Sequence, residues 1–231
     1  MTAPRSNRLV SIYRVAIMFA VAAQPTVAIA QVDATASPRS AAALVAAWPS
    51  ANRIEILALL DSAAIAGLPV APLRAKIAEG IAKDAAPATI VNVVRALENG
   101  LRTVRRTLGP RLTDPELVAA VAAVQSGATL DQLRALSASI RPERASTQMF
   151  VVLTDLTRRG VAATECVTAL ARLARAGAGD AAFAQLRVDV ANDVSTGVAA
   201  RAAVSRRADE YVSRGFLPSG AIFPPPEQDD R

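Results

Sequence analysis

The chain has 231 residues, 52% of them hydrophobic but only 3% aromatic, with 26 basic and 20 acidic residues and a formal net charge of +6. It contains no histidine and one cysteine, Cys166. That composition excludes Ser-His and Cys-His nucleophile pairs, zinc sites of the usual nitrogen-and-sulfur kind and an internal disulfide.

Met1 to Arg14 carries Arg5, Arg8 and Arg14 and no acidic residue. Val15 to Ala23 is an unbroken apolar run, Gln24-Pro25 interrupts it, and Ala28-Ile29-Ala30 supplies the small residues a signal peptidase reads. A positive start, a short apolar middle and an A-x-A end predict a secretory signal peptide over residues 1–30, cut between Ala30 and Gln31. A membrane-spanning helix needs roughly 20 consecutive apolar residues, which this run does not reach. The expected product is secreted or periplasmic, with membrane contact only through the signal peptide before cleavage. Cleavage takes away three of the 26 basic residues and none of the 20 acidic ones, which leaves a net charge of +3. That small excess argues against nucleic acid as a partner.

Residues 31–39 read as a polar linker and 40–215 as one helical domain. Alanine, leucine and valine dominate, and the alternation of β-branched and aromatic residues that marks strands is missing. The predicted class is therefore all-α, a bundle or a short solenoid of helical hairpins. Ser37-Pro38 looks like a helix start, with the helix running to Trp48. Ser50 is the expected cap of the next helix, Ala51 to Ala66, with Ile54, Leu57, Leu60 and Ala64 as its apolar positions and Gly67 closing it. Pro72 opens a helix to about Lys83, Pro87 another to Leu108, and Asp114-Pro115 a third to Ser126. Thr129 with Gln132 forms a capping box before Leu130, Leu133 and Leu136. Arg141-Pro142 leads into a helix through Met149, Val152 and Leu156 that ends at Gly160. Thr164 to Arg175 follows, then a stretch from Asp180 that breaks near Gly197 and resumes to Arg214. Residues 216–231 read as a flexible proline-rich tail, of which Phe216, Leu217, Ile222 and Phe223 have the apolar character to pack back. Gly67 to Gly100 and Gly127 to Gly160 are both 33 residues apart, and Leu73/Leu133, Ala75/Ala135 and Val91/Val151 correspond. These intervals suggest helical-hairpin repeats.

Arginines cluster before the glycines that end helices: Arg105-Arg106, Arg158-Arg159, Arg172 with Arg175, and Arg214. There they meet unpaired carbonyls and the negative end of the helix dipole, so capping accounts for them. Cys166 reads as a small buried apolar residue. Asp189 and Asp193 lie one turn apart with no third ligand at matching spacing, so they read as solvated rather than metal-binding. Lys76, Glu79 and Lys83 share one helix face at i, i+3 and i+7 and include both lysines of the chain. They form either a solvated stripe or the candidate binding face. No catalytic residue, metal site or cofactor is expected.

Gly67, Leu68, Pro69, Pro72, Leu73, Lys76, Glu79, Gly80, Ala82 and Lys83 form a pattern that resembles segments of exported bacterial helical proteins of uncharacterised activity. The resemblance covers about an eighth of the chain, and its implication is that Gly80, inside a helix, marks a close helix contact. The leading expectation for function is an exported helical protein that binds another protein of the cell envelope or serves a structural role. The alternative is a carboxylate-dependent envelope hydrolase or lyase using Glu79 or Asp61. A third is attachment to anionic lipid through the arginine-rich helix ends.

Overall fold

A computed structural model describes residues 41–140, 147–217 and 221–222. The expected signal peptide with its Ala30/Gln31 cleavage site, the expected 31–39 linker, the expected Ser37-Pro38 and Arg141-Pro142 helix starts and Phe223 lie outside the described residues. Within them the chain is all-helical. The first four helices are Ala41–Leu44 (α1), Ser50–Ile65 (α2), Ala71–Ala82 (α3) and Pro87–Leu108 (α4). Asp114–Gln125 (α5), Leu130–Ser137 (α6) and Thr147–Arg158 (α7) follow, and Ala163–Ala176 (α8), Asp180–Ser195 (α9) and Ala200–Arg214 (α10) complete the series. Among the described residues no helix is long and apolar enough to cross a membrane.

Most boundaries fall where proline, capping residues and glycine put them. Thr113 and Thr129 each accept a bond from the backbone N–H of the third helical residue, and Glu116 and Gln132 return the bond to the cap. The Thr113–Glu116 box obeys the same T-x-x-E rule as the recognised one but was masked in the sequence by the louder Asp114-Pro115 start. Two expectations fail at the first helices. The helix expected to reach Trp48 ends at Leu44, because the residue before a proline disfavours helical backbone and Pro49 follows Trp48. Ser50 is the first helical residue and not a cap; Pro49 holds the cap position with no side-chain bond. The buried stripe of α2 is Ile56, Leu60 and Ala63, whereas Ile54 is 68% exposed. The segment is apolar on nearly every side, so its own periodicity does not choose a face, and packing against α4 does.

A recurring turn links the helices. After Gly160 (φ +89) and Gly197 (φ +92), the N–H groups of Val161 and Val198 donate back to Leu156 O and Asp193 O at 3.1 and 3.0 Å. A left-handed residue followed by an apolar one closes the carbonyl end of the helix. The next helix begins three residues after each glycine, at Ala163 and Ala200. Gly127, Gly177 and Asp84 make the same turn before α6, α9 and α4, Asp84 being the one described non-glycine residue with positive φ. The tetrapeptide Gly-Val-Ala-Ala at 160–163 recurs at 197–200. The interval Gly127 to Gly160 therefore joins two equivalent turns, each leading from an odd- to an even-numbered helix. Gly100, by contrast, sits inside α4.

Packing follows the same order. Even-numbered helices lie side by side, α2 against α4, α4 against α6, α6 against α8 and α8 against α10. Among the odd-numbered ones, α7 packs on both α5 and α9. The pairs α3–α4, α7–α8 and α9–α10 also pack on each other. The core between them is aliphatic, with Phe150, Phe183 and Tyr211 as its large aromatic members. Small residues let the helices approach closely. A Cβ at Gly80 would sit 2.6 Å from Ile90 Cγ1 of α4, and one at Gly100 would sit 3.1 Å from Val121 Cγ1 of α5. Gly80 thus marks a close helix contact, as its costly mid-helix position suggests. At the C-terminal end, Phe216 and Ile222 form an antiparallel bridge and both pack on the core.

Candidate functional site

Lys76, Glu79 and Lys83 lie together on the exposed side of α3. Glu79 accepts from Lys76 Nζ at 2.5 Å and from Lys83 Nζ at 2.6 Å, and all three side chains are 41–61% exposed. The bonds from Lys76 and Lys83 hold the Glu79 carboxyl at about 2, so it is ionised at neutral pH. Gly80, the next residue, points instead at Ile90. Asp61 is exposed on α2. Cys166 is fully buried, and burial pushes its thiol up to about 11, so it is protonated at neutral pH and weakly nucleophilic.

The second charged group joins two helices. Asp193 of α9 is 6% exposed and accepts from Nε and Nη2 of Arg207 on α10, both at 2.8 Å, and from Arg206 Nη2 at 2.8 Å. The expected solvated aspartate is therefore a buried, bidentate ion-pair acceptor. Arg207 and Arg206 hold its carboxyl at about 2. Arg207 also donates to Glu210 at 2.9 Å, and Arg214 donates to the other oxygen of Glu210 at 3.1 Å. One turn back on α9, Asp189 accepts the Tyr211 hydroxyl at 2.5 Å and the Gln185 amide at 2.8 Å. Burial, then the Asp189 carboxylate, pushes the Tyr211 hydroxyl far up. Asp189 and Asp193 each have their own partners and do not converge on a common point. Sequence spacing within α9 hid this arrangement because every cation that answers Asp193 comes from α10.

The helix-end arginines divide between two roles. Arg105 behaves as a cap-like donor, to Pro110 O at 3.1 Å and Leu112 O at 2.6 Å in the segment after α4. Arg159, Arg172 and Arg214 turn instead to Asp155, Asp209 and Glu210. Arg105 also reaches Asp114 at 3.6 Å, so all four carry an ion pair, and Arg105 combines it with its carbonyl bonds.

The side of the even-numbered row carries polar links between neighbouring helices. Glu55 of α2 pairs with Arg95 of α4, and Gln132 of α6 donates to Thr164 of α8 at 3.0 Å. Between α8 and α10 a recess of about 360 Å³ is lined by Thr164, Thr168, Ala169 and Ser205. Two ion pairs cross it, Glu165 with Arg201 at 3.0 Å and Arg172 with Asp209 at 2.6 Å. A second recess of about 340 Å³ lies between α9, α10 and the returning Ala221-Ile222, with Gln185, Asp189 and Tyr211 on its wall. Neither contains Glu79 or Asp61, so the structure does not bring the sequence-selected acids to a concave surface at these places. No protein-family model matches the chain, and no curated protein or solved structure matches it either.

Proposed function

We propose that this chain is an exported, non-catalytic helical protein of the periplasm or extracellular space that works by binding another protein or by structural support. The observation that carries the reading is the succession of short, equivalent turns that lays one helix beside the next but one. Short helical hairpins stacked this way form a solenoid whose rows of exposed helix faces are binding surface rather than active-site cavity. The positive, apolar and A-x-A pattern of residues 1–30 supports export with cleavage before Gln31. Lys76, Glu79 and Lys83 are the proposed contact face on α3, since two cations and an acid offer a fixed charge pattern to a partner.

The state of Glu79 counts against it as the general acid of a hydrolase or lyase. General acid catalysis near neutral pH needs a carboxyl whose value is raised towards the working pH, and Glu79 is moved the other way. The test is expression of the whole chain with a C-terminal tag in a Gram-negative host. Intact mass of the recovered protein should place its N-terminus at Gln31, in the periplasm or medium. Crosslinking in that compartment should then trap one defined protein, and a Lys76→Glu, Lys83→Glu variant should lose it. Recovery of an uncut cytosolic chain sinks the export reading, and crosslinking indifferent to the double variant sinks the α3 face.

A further inference from the structure

We propose that the junction of α5, α7 and α9 is an acid-tightened contact, in which Asp180 takes up a proton as the pH falls and α9 docks more firmly on α7. Asp180 is the first residue of α9, and its Oδ1 is buried with no hydrogen-bond partner. The groups facing it come from two other helices. The Gln148 N–H, at the start of α7, donates to it, and the buried Glu116 carboxylate, in the first turn of α5, repels it. Helix α7 packs on both α5 and α9, and residues 116, 148 and 180 all lie in the first turns of these three helices. The cations of α10, which also packs on α9, are engaged elsewhere, Arg206 and Arg207 at Asp193 and Arg214 at Glu210. Among the described residues no ion pair engages Asp180.

An ionised carboxylate with one dry oxygen lacks the donor that would offset its lost hydration, and a second carboxylate nearby raises the cost further. Protonation removes the charge, and with it the repulsion from Glu116 and the larger part of the hydration cost. Burial, with Glu116 adding and the Gln148 bond opposing, accordingly raises the Asp180 carboxyl above its ordinary range. A raised carboxyl binds its proton more tightly in the folded state than in the unfolded one. Its contribution is complete below the ordinary aspartate value of about 3.9 and is lost as the pH rises through the folded value. A protein outside the inner membrane meets the pH of the medium; that relevance rests on the export reading, whereas the titration itself does not.

The test is a side-chain carboxyl NMR titration of the isotopically labelled full chain, with Asp180 assigned through the Asp180→Asn variant. Asp180 should titrate above about 3.9, and Glu116→Gln, which keeps the capping box, should move its midpoint down. A midpoint at or below that value, or one unmoved by Glu116→Gln, overturns the proposal. Thermal unfolding gives a second reading: Asp180→Asn should gain more in Tm over the parent at pH 7 than at pH 4. An equal or reversed difference counts against the junction, whatever N-terminus the exported chain proves to have.

Discussion

Glu79 and Asp193 are the same chemical device in two settings. Each carboxylate is held by two cations, and each is lowered to about 2. Glu79 finds both lysines on its own helix, at i−3 and i+4, with every partner more than 40% exposed. Asp193 is 6% exposed and finds both arginines on α10, one of them through a bidentate pair. Matching shifts therefore conceal different consequences. The α3 group can only stiffen a helix that propensity already favours, whereas the α9–α10 group ties one helix to another and fixes their register.

The largest effect should come from cutting that tie. Arg207→Ala leaves Asp193 buried beside Arg206 alone, and breaking a buried pair by removing one partner is strongly destabilising. A fall in Tm of ~5 °C or more is expected for a domain of this size, measured by circular dichroism. Cys166 supplies a local readout, since it is fully buried on α8 and α8 packs on α10. Alkylation of native Cys166 should speed up in Arg207→Ala and stay slow when Glu79 is changed. Equal alkylation in the two variants would remove the distinction between the helix-joining and the helix-internal group.

Acid should separate the two groups in the same sense. A carboxyl lowered in the folded state contributes its stability above the unfolded value, near 4, and loses it as the pH falls towards the folded value near 2. The parent should therefore lose Tm between about pH 5 and pH 2, with Asp180 acting in the opposite direction. Asp193→Asn should flatten that slope more than Glu79→Gln does. If Glu79→Gln flattens it as much, exposure is not what sets the worth of these groups.

The same contrast explains what the sequence makes legible. Helix α3, with its Pro72 start and its Lys76, Glu79 and Lys83 face, is readable because everything that shapes it lies within one turn of the chain. Helix α4 is bounded by Pro87 and Gly109, and its limits read directly for that reason. Asp193 misleads because its partners lie 13 and 14 residues on, across the turn at Gly197. The buried face of α2 misleads because a segment with apolar residues all round needs a neighbour to choose for it. The recurrence of Gly-Val-Ala-Ala at 160 and 197 is a signal the sequence does contain, and it marks equivalent turns more reliably than a shared glycine spacing.

Gly80 offers a way to sharpen the comparison from the buried side of α3. Gly80→Ala gains about 1 kcal/mol of helix propensity. Its new Cβ, however, meets the buried Ile90 side chain at three atoms, the nearest 2.6 Å away. Overpacking of that kind costs about 1–3 kcal/mol, so the variant should be less stable by ~1 kcal/mol on balance. Ile90→Val in the same chain should recover part of the loss. A more stable Gly80→Ala protein would show that α3 and α4 can separate without penalty.

The smallest effect belongs to Glu79→Gln. Exposed pairs of this spacing contribute about 0.3–0.5 kcal/mol each, and salt screens them. Gln retains acceptor and helix-forming ability, so the change removes charge and little else. Tm should shift by no more than ~4 °C at low salt, and the shift should vanish in 1 M salt, where the screening length is about 3 Å. The Arg207→Ala loss should persist in that salt, because its ion pair is sheltered from solvent by the α9–α10 contact. A Glu79→Gln defect that survives high salt would mean α3 uses this carboxylate for something other than its own two lysines.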